Sequence, residues 1–454
     1  MKRRNYIYIT ALGFSLAATF SACDKKLDIS PSDSIEQSKA LLTSQDVKIT
    51  LIGAYNRMGV ADLYGGRIYL EPDLLAGQTA ITWTGTYTGL TQIYSQTIPT
   101  NNGFISNIWI SGYQAINLLN NVLASIDKVD EADRDRVEGE AKFLRGLAYF
   151  DLVRLYGNDW NNGDPNANLG VPLVLTPTLQ IDENSYVSRA TVAEVYNQVL
   201  ADLNDAKAKL PDTKSFYANT YAASAILSRV YLQKGDYVNA AAEATTVIGS
   251  GSYALVPNYA DLFPNPGAVH VENTSEDIFA LQVTPQQGSN SLNEFYASSD
   301  FGGRGDIEIK PGFIAQYEAK DERANTFYDD GGSTRTSKFD NLYGNVKVIR
   351  LAELYLTRAE ANLRLGTTTG DTPLNDINKI RTRAGLASVT SVTVEDVLKQ
   401  RELELAFEGG FFLFDAKRTG RNIGSAPSTA PNFVFPIPQR EIYANPNMTQ
   451  NPGY

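Results

Sequence analysis

Cysteine and histidine are almost missing from this 454-residue chain, which holds one of each, Cys23 and His270. One thiol forms no internal disulfide. One imidazole removes His-based triads, His-rich metal sites and most acid/base schemes that need a group titrating near neutrality, so His270 reads as a surface-loop residue. Cations are in deficit, 40 Lys and Arg against 51 Asp and Glu, for a net charge of −11. Phosphate backbones are bound through clustered Lys and Arg, and the deficit argues against a nucleic-acid ligand. Beyond Phe20 no segment is apolar enough to cross a bilayer.

What the chain does have begins with Lys2, Arg3 and Arg4, an apolar run from Tyr6 to Phe20, and the small residues Ser21 and Ala22 before Cys23. This order reads as an export signal over residues 1–22, and the run is too short to span a membrane comfortably. Cys23 stands where a lipoprotein signal peptidase leaves the acylated first residue, which would consume the lone thiol. Several acyl chains, at about 0.8 kcal/mol per buried methylene, anchor a protein stably. Ordinary cleavage with a free Cys23 is the alternative, because Phe20 occupies a place where such signals usually carry Leu. Residues 23–37, with Pro31, Ser30, Ser32 and Ser34, build no core and read as a lipidated flexible tether. Residues 38–454 then form a single domain longer than one compact core usually holds, which calls for two lobes or a helical array.

Helical periodicity predicts helices near Ser44–Met58, Ile108–Lys128, Asp133–Tyr156, Thr191–Leu210, Asn219–Lys234, Tyr237–Gly249, Leu351–Leu365, Thr372–Ala384 and Val394–Glu408. Strand-like patches are short and scattered, so the fold class is mainly α. From Ala222 to Ile248, Leu227, Ser228, Tyr231, Gly235, Ala240, Ala244 and Val247 recur at the spacing of a tetratricopeptide helix pair. Small residues at Ser228 and Ala240 let two helices approach, and Gly235 ends the first. A looser copy runs from Arg350 to Ala384, with Ala359, Ala361 and Gly366 in comparable places. Paired helices of this kind stack into a scaffold. Two long stretches, near 64–100 and 252–345, are rich in Gly, Thr, Asn, Pro and aromatics and read as irregular loops; loops that long are functional or disordered, and their aromatic content argues against disorder.

Charged clusters inside the predicted helices read as ion pairs. Asp151 and Arg154 share a helix face three residues apart, with Arg145 nearby. Glu404 and Glu408 face the same way beside Arg401 and Glu402, whereas a glycosidase needs carboxylates on opposite sides of a sugar. Gly302–Asp306 and Gly331-Gly332 lack the context of a phosphate loop and read as turns. Trp109 falls at helical spacing with Ile105, Ile108, Tyr113 and Ile116 and reads as core. Trp160, in an Asn-rich loop, leans structural. Trp83 is different: it sits with Tyr87 among Thr82, Thr84, Gly85 and Thr86, with no periodicity that buries it. Sugars stack C–H faces on such rings while their hydroxyls find polar partners.

Three segments resemble the SusD/RagB family of surface nutrient-binding lipoproteins of Bacteroidota. They are Phe143–Gly157 (FLRGLAYFDLVRLYG), Arg401–Gly409 (RELELAFEG), and the C-terminal FPIPQREI from Phe435 with NPNMTQNPGY ending at Tyr454. One departure follows Gly409, where the family usually places His-Arg and this chain has Gly410-Phe411. The resemblance implies a mainly α, tetratricopeptide-like scaffold with an irregular ligand-binding lobe, and an outer-membrane, lipid-anchored, cell-surface location. It implies a glycan (oligosaccharide) ligand and a SusC-like TonB-dependent transporter as partner. No cofactor, metal or catalytic residue is expected. It places ligand contacts in the early loop with Trp83 and Tyr87, at Asp73 ahead of it, and in a later loop holding Phe295, Tyr296, Asp300, Phe301 and Arg304. A peptide receptor on the same scaffold is the alternative. A surface glycosidase would need a carboxylate pair from the loops, for instance among Asp300, Asp306 and Glu308.

Overall fold

The computed structural model describes residues 41–286 and 288–454, and Thr43–Tyr454 make one compact unit. The expected signal peptide, the acylated Cys23 and the tether lie outside the described residues.

Helix α1 (Ser44–Met58) starts at a capping box in which Thr43 and Asp46 satisfy each other's backbone amides. Next come α2 (Arg67–Ala76) and α3 (Thr88–Tyr94), separated by strand β1 (Ile81–Trp83). The long α4 (Gly103–Ala124) and α5 (Glu131–Tyr156) follow. A ribbon of β2 (Leu169–Pro172) and β3 (Arg189–Thr191) leads into α6 (Val192–Lys209), α7 (Thr220–Lys234) and α8 (Tyr237–Gly249). The irregular part carries β4 (Asp277–Leu281), α9 (Ser291–Tyr296), β5 (Ile307–Ile309), α10 (Pro311–Ile314), β6 (Phe327–Asp330), β7 (Ser333–Thr336) and β8 (Val346–Arg350). The chain closes with α11 (Leu351–Leu365), α12 (Pro373–Arg383), α13 (Val394–Glu404), α14 (Phe411–Thr419) and α15 (Gln439–Ala444). Among the described residues the strands pair as two-stranded antiparallel ribbons, β1 with β5, β2 with β3, β4 with β8 and β6 with β7. The fold is mainly α.

The helices stack in succession, α4 on α5, α5 on α6, α6 on α7, α7 on α8 and α8 on α11. At the α7/α8 corner Gly235 takes φ +75°, a left-handed cap that glycine adopts without penalty. The Ser228 hydroxyl donates to the Ala240 carbonyl at 2.9 Å, so the helices touch through these small residues, as the repeat pattern required. In the looser copy Gly366 again caps at φ +66°, and the Asn362 amide holds the lengthened turn through the Thr369 and Asp371 carbonyls.

Two expectations need correction. The stretch near 64–100 is not irregular throughout, since it holds α2 and α3; Ile68 to Ala76 are all buried, and a helix buried all round shows no amphipathic stripe. The helix expected over Val394–Glu408 ends at Glu404, where Phe407 turns the chain at φ +66°.

That early ending delivers Glu404 and Glu408 to a buried ion network. Glu404 accepts from Arg350 at 2.7 Å, from Arg323 at 3.4 Å, and from Arg383. Arg350 also donates to Glu276 and Glu408, each at 2.7 Å, and Lys338 donates to Glu408 at 2.7 Å. Beside it, Arg401 pairs with Asp415 and Arg418 with Glu360. The Asp151–Arg154 pair forms too, and Arg145 forks onto Asp202 at 2.7 and 2.8 Å. Burial alone would raise the Glu404 carboxyl, but Arg383, Arg350 and Arg323 hold it well below the usual carboxylate range. Trp109 is core and Trp160 packs on Tyr196 at 5.2 Å, while His270 is half-buried, its Nδ1 2.7 Å from the Val283 carbonyl.

Removing one partner of a buried ion set strands the others, a loss of about 3–5 kcal/mol. Glu404→Gln is therefore expected to lower the unfolding free energy by about that amount at pH 7, read by denaturant titration. A depressed carboxyl stabilises above its unfolded value and the contribution fades as pH falls. The chain should accordingly lose stability on acidification below about pH 4.5, more steeply than the variant. Glu71 on α2 has the opposite sign. Both its oxygens are buried and unbonded among the described residues, and burial pushes its carboxyl up to about 8, with Arg67 offsetting part. The folded state then holds a proton the unfolded chain releases, so stability falls as pH rises from about 4.5 to about 8. Glu71→Gln should be more stable than the parent, by a margin that grows across that window and levels off above it.

Candidate functional site

Strand β1 pairs with β5 so that Ile81 faces Ile309, Thr82 faces Glu308 and Trp83 faces Ile307. Successive residues alternate faces, which buries Ile81 and Trp83 and leaves Thr82 half-buried. Trp83 is therefore not a free loop ring: it is 8% exposed, and its Nε1 donates to the Thr91 hydroxyl at 2.9 Å. Its ring lies 6.1 Å from that of Phe295, itself 5% exposed. Together they floor the site. The loop beyond crosses this floor at Gly85, where a Cβ would stand 2.4 Å from the Trp83 ring and 2.8 Å from the Asp306 carboxyl carbon. The Thr84 amide donates to the Asp306 carbonyl at 2.8 Å and fixes the crossing.

Tyr87 rises from the floor, 37% exposed, edge-on to Phe295 at 6.1 Å and to Phe104 at 5.8 Å. Its hydroxyl donates to Glu294 at 3.0 Å, and the Arg304 guanidinium lies 4.7 Å over its ring. Arg304 donates to Asp306 at 2.8 Å and to the Thr86 hydroxyl at 3.1 Å. The early and late loops thus form one surface, with Thr84, Thr86, Tyr87, Glu294 and Arg304 as a polar and aromatic rim over Trp83 and Phe295. The Tyr87 phenol sits above its ordinary value because of Glu294, and Arg304 is held more firmly protonated by Asp306.

The remaining expected residues lie elsewhere. Asp73 and Tyr296 are buried: the Tyr296 hydroxyl donates to Asp73 at 3.1 Å, and the Gly410 amide donates to its other oxygen at 3.0 Å. Asp73 is corrected from a sugar acceptor to an internal brace, its carboxyl pushed by burial up to about 7. Tyr296 packs on Phe339 at 4.9 Å and on Phe407 at 5.9 Å, and it too leaves the proposed contact set. The departure after Gly409 has its reason here. Gly409 (φ +124°) and Gly410 (φ +71°) run so close to α2 that a Cβ on either would stand 2.4 Å from Tyr69 or Pro72. Asp300 and Phe301 occupy an exposed turn, with Phe301 edge-on to Tyr328 at 5.9 Å.

Glu294 was missed from the sequence. Asn290 caps α9 by accepting from the Leu292 amide, and that start sets Glu294 beside Phe295 on the rim; the cap was the available signal. Of the loop carboxylates, Asp306 is engaged by Arg304, and Glu308 lies opposite Thr82 in the ribbon. Among the described residues no group of three or more His, Cys, Asp or Glu is placed to hold a metal ion. The arrangement offers stacking edges and hydrogen-bonding groups, the means of binding a polyhydroxylated molecule.

Residues 26–232 match a family model described as starch-binding and associating with the outer membrane, and residues 323–422 and 419–454 match the SusD family model. The chain belongs to the SusD/RagB family. A SusD-like protein of Formosa agariphila is 26% identical over 91% of this chain and 93% of its own length. The starch-binding protein SusD of Bacteroides thetaiotaomicron is 25% identical over 76% of this chain and 77% of its length. Among solved structures, a SusD superfamily protein of Bacteroides thetaiotaomicron superposes with a TM-score of 0.80 at 28% identity, covering 90% of this chain and all of that one. A laminarin-binding SusD-like protein gives a TM-score of 0.73 at 25% identity, over 91% of this chain and 100% of that chain. SusD-family proteins are binding proteins associated with the outer membrane, and no helix among the described residues is long and apolar enough to cross one.

Because Trp83 is interior, Trp83→Ala is expected to cost about 3–5 kcal/mol of stability, like other large-to-small aromatic truncations. Tyr87→Ala, at the exposed rim, should stay within about 1 kcal/mol of the parent. Denaturant titration of the two variants side by side checks the division.

Proposed function

We propose that this chain is a cell-surface glycan receptor, anchored to the outer membrane through acylated Cys23, that captures oligosaccharide and delivers it unchanged to a SusC-like TonB-dependent transporter. Residues 1–22 serve as signal peptide, 23–37 as tether and 38–454 as the receptor domain. The observation that carries the reading is the Tyr87 rim: an exposed ring presented beside Thr86, Glu294 and Arg304 above an aromatic floor. Sugar C–H faces stack on such a ring while hydroxyls exchange hydrogen bonds with the flanking groups. The starch and laminarin named for two relatives point to the same ligand class. The paired carboxylates that could suggest glycoside hydrolysis, Glu404 and Glu408, are both held in the interior by Arg350, which supports binding without chemistry. An open surface desolvates little of its ligand, so affinity should fall between about millimolar and micromolar.

Calorimetric titration of the chain from residue 24 against polysaccharides and peptides tests this. At least one glycan is expected to bind, and Tyr87→Ala, which keeps the fold, should weaken it by about tenfold through lost stacking. Binding of peptides alone would replace the glycan reading with a peptide receptor. Unchanged glycan binding by Tyr87→Ala would move the site away from this rim.

A further inference from the structure

Next to the rim, α3 and the start of α4 border a second depression that no sequence signal singled out. Arg67, Thr88, Gln92, Asn101, Phe104 and Asn107 line an open recess of about 400 Å³. That volume falls within the roughly 300–1,000 Å³ of small-molecule sites. Phe104 and Pro99 form the apolar part of the lining, and the contact of Phe104 with Tyr87 makes recess and rim neighbours. Gly89 allows α3 to lie on that ring, since a Cβ there would stand 2.5 Å from it.

The polar groups of the recess divide by occupation. Asn102 is committed to the fold: its Oδ1 accepts from the Phe104 amide at 2.9 Å, and its Nδ2 donates to the Gly89 carbonyl and the Gln92 Oε1, each at 2.9 Å. That bond orients Gln92 and leaves its amide NH₂ uncommitted. The side chains of Thr88, Asn101 and Asn107 make no hydrogen bond among the described residues, and all three are exposed. Amides and hydroxyls that both donate and accept match sugar hydroxyls, which do the same.

Charge narrows the ligand further. The Arg67 guanidinium lies 4.5 Å over the Phe104 ring and is paired with Asp62. Arg304 on the rim is paired with Asp306 at 2.8 Å and stands 4.0 Å from Glu294. Each of these cations already has its counter-charge. An anionic ligand would approach a chain of net charge −11 and give up its hydration for cations already neutralised.

We infer that this recess is a second subsite continuous with the Tyr87 rim, and that the two together take an extended, neutral glycan. The inference rests on the glycan reading above and adds to it the ligand's length and charge class.

Calorimetric titration of the chain with graded maltooligosaccharides and laminarioligosaccharides, and with oligogalacturonates of matched length, tests it. The variant is Asn101→Ala/Asn107→Ala, two exposed and unbonded positions whose truncation leaves the fold intact. A neutral series is expected to bind more tightly as it lengthens and then to plateau. The double variant should lower that plateau by about tenfold, the loss of two neutral hydrogen bonds, while the shortest binding oligomer is unaffected. Tyr87→Ala should weaken every length. Length-independent affinity, an unchanged plateau in the double variant, or tighter binding of oligogalacturonates overturns the subsite and leaves the rim standing. Binding of no oligosaccharide in any of the three series overturns both.

Discussion

The interaction on which most of this structure depends is the ion network around Glu404 and Arg350. Its members come from both kinds of chain. Arg350, Arg383, Glu404 and Glu408 belong to the C-terminal helices and their ends, while Glu276, Arg323 and Lys338 come from the irregular stretch between α8 and α11. A loop-rich stretch of that length lacks the repeating apolar faces by which helices dock. Charge-assisted bonds are directional, and once buried each member must find its partner or leave a bare charge in the interior. Only placements of the loops against the helices that close these pairs meet that condition. Hydrophobic contact alone would tolerate several.

The same network reaches the candidate site through a short mechanical path. Glu408, tied to Arg350 and Lys338, is followed by Gly409 and Gly410, and the Gly410 amide is bound to Asp73 on α2. Asp73 in turn holds the Tyr296 hydroxyl, and the residue before Tyr296 is Phe295, which floors the rim with Trp83. Asp73 and Tyr296 are both buried, and together they fix α2 and α9 relative to each other. An exposed binding surface gains little from desolvation, so it profits from being rigid before the ligand arrives. Burying these groups serves that end better than exposing them would.

What could be read from the chain beforehand follows from where the physics is local. α1, α8 and α11 end where their caps and apolar spacing predict, and the Ser228–Ala240 approach was legible because small residues at fixed spacing have few other uses. Helix α2 was not, because burial on every side erases periodicity and Glu71, Pro72 and Asp73 interrupt what remains. Trp83 misled for a related reason. Its strand is three residues long, too short for alternation to register, and the partner strand lies more than two hundred residues away. Asp73 was assigned by its position ahead of the loop, which carries no information about which way a side chain turns. The early and late loops lie side by side, and of the residues expected there Tyr87, Phe295 and Arg304, with Trp83 beneath them, meet at the rim.

The contrast between Trp83 and Tyr87 shows how such a surface divides its work. Indole offers the larger area but only one polar atom, a donor, and that donor is spent on Thr91 within the fold. Phenol offers less area but can donate and accept, and its hydroxyl stays at the rim in contact with Glu294. With the indole inside, the fold gains the greater apolar burial. The ring left outside is the one whose polar end tolerates water when no ligand is bound. Arg304, stacked on that ring and neutralised by Asp306, restrains its orientation without adding a free charge to the surface. A rim made this way has its polar and aromatic groups already in place, and it holds that form through bonds to its own neighbours.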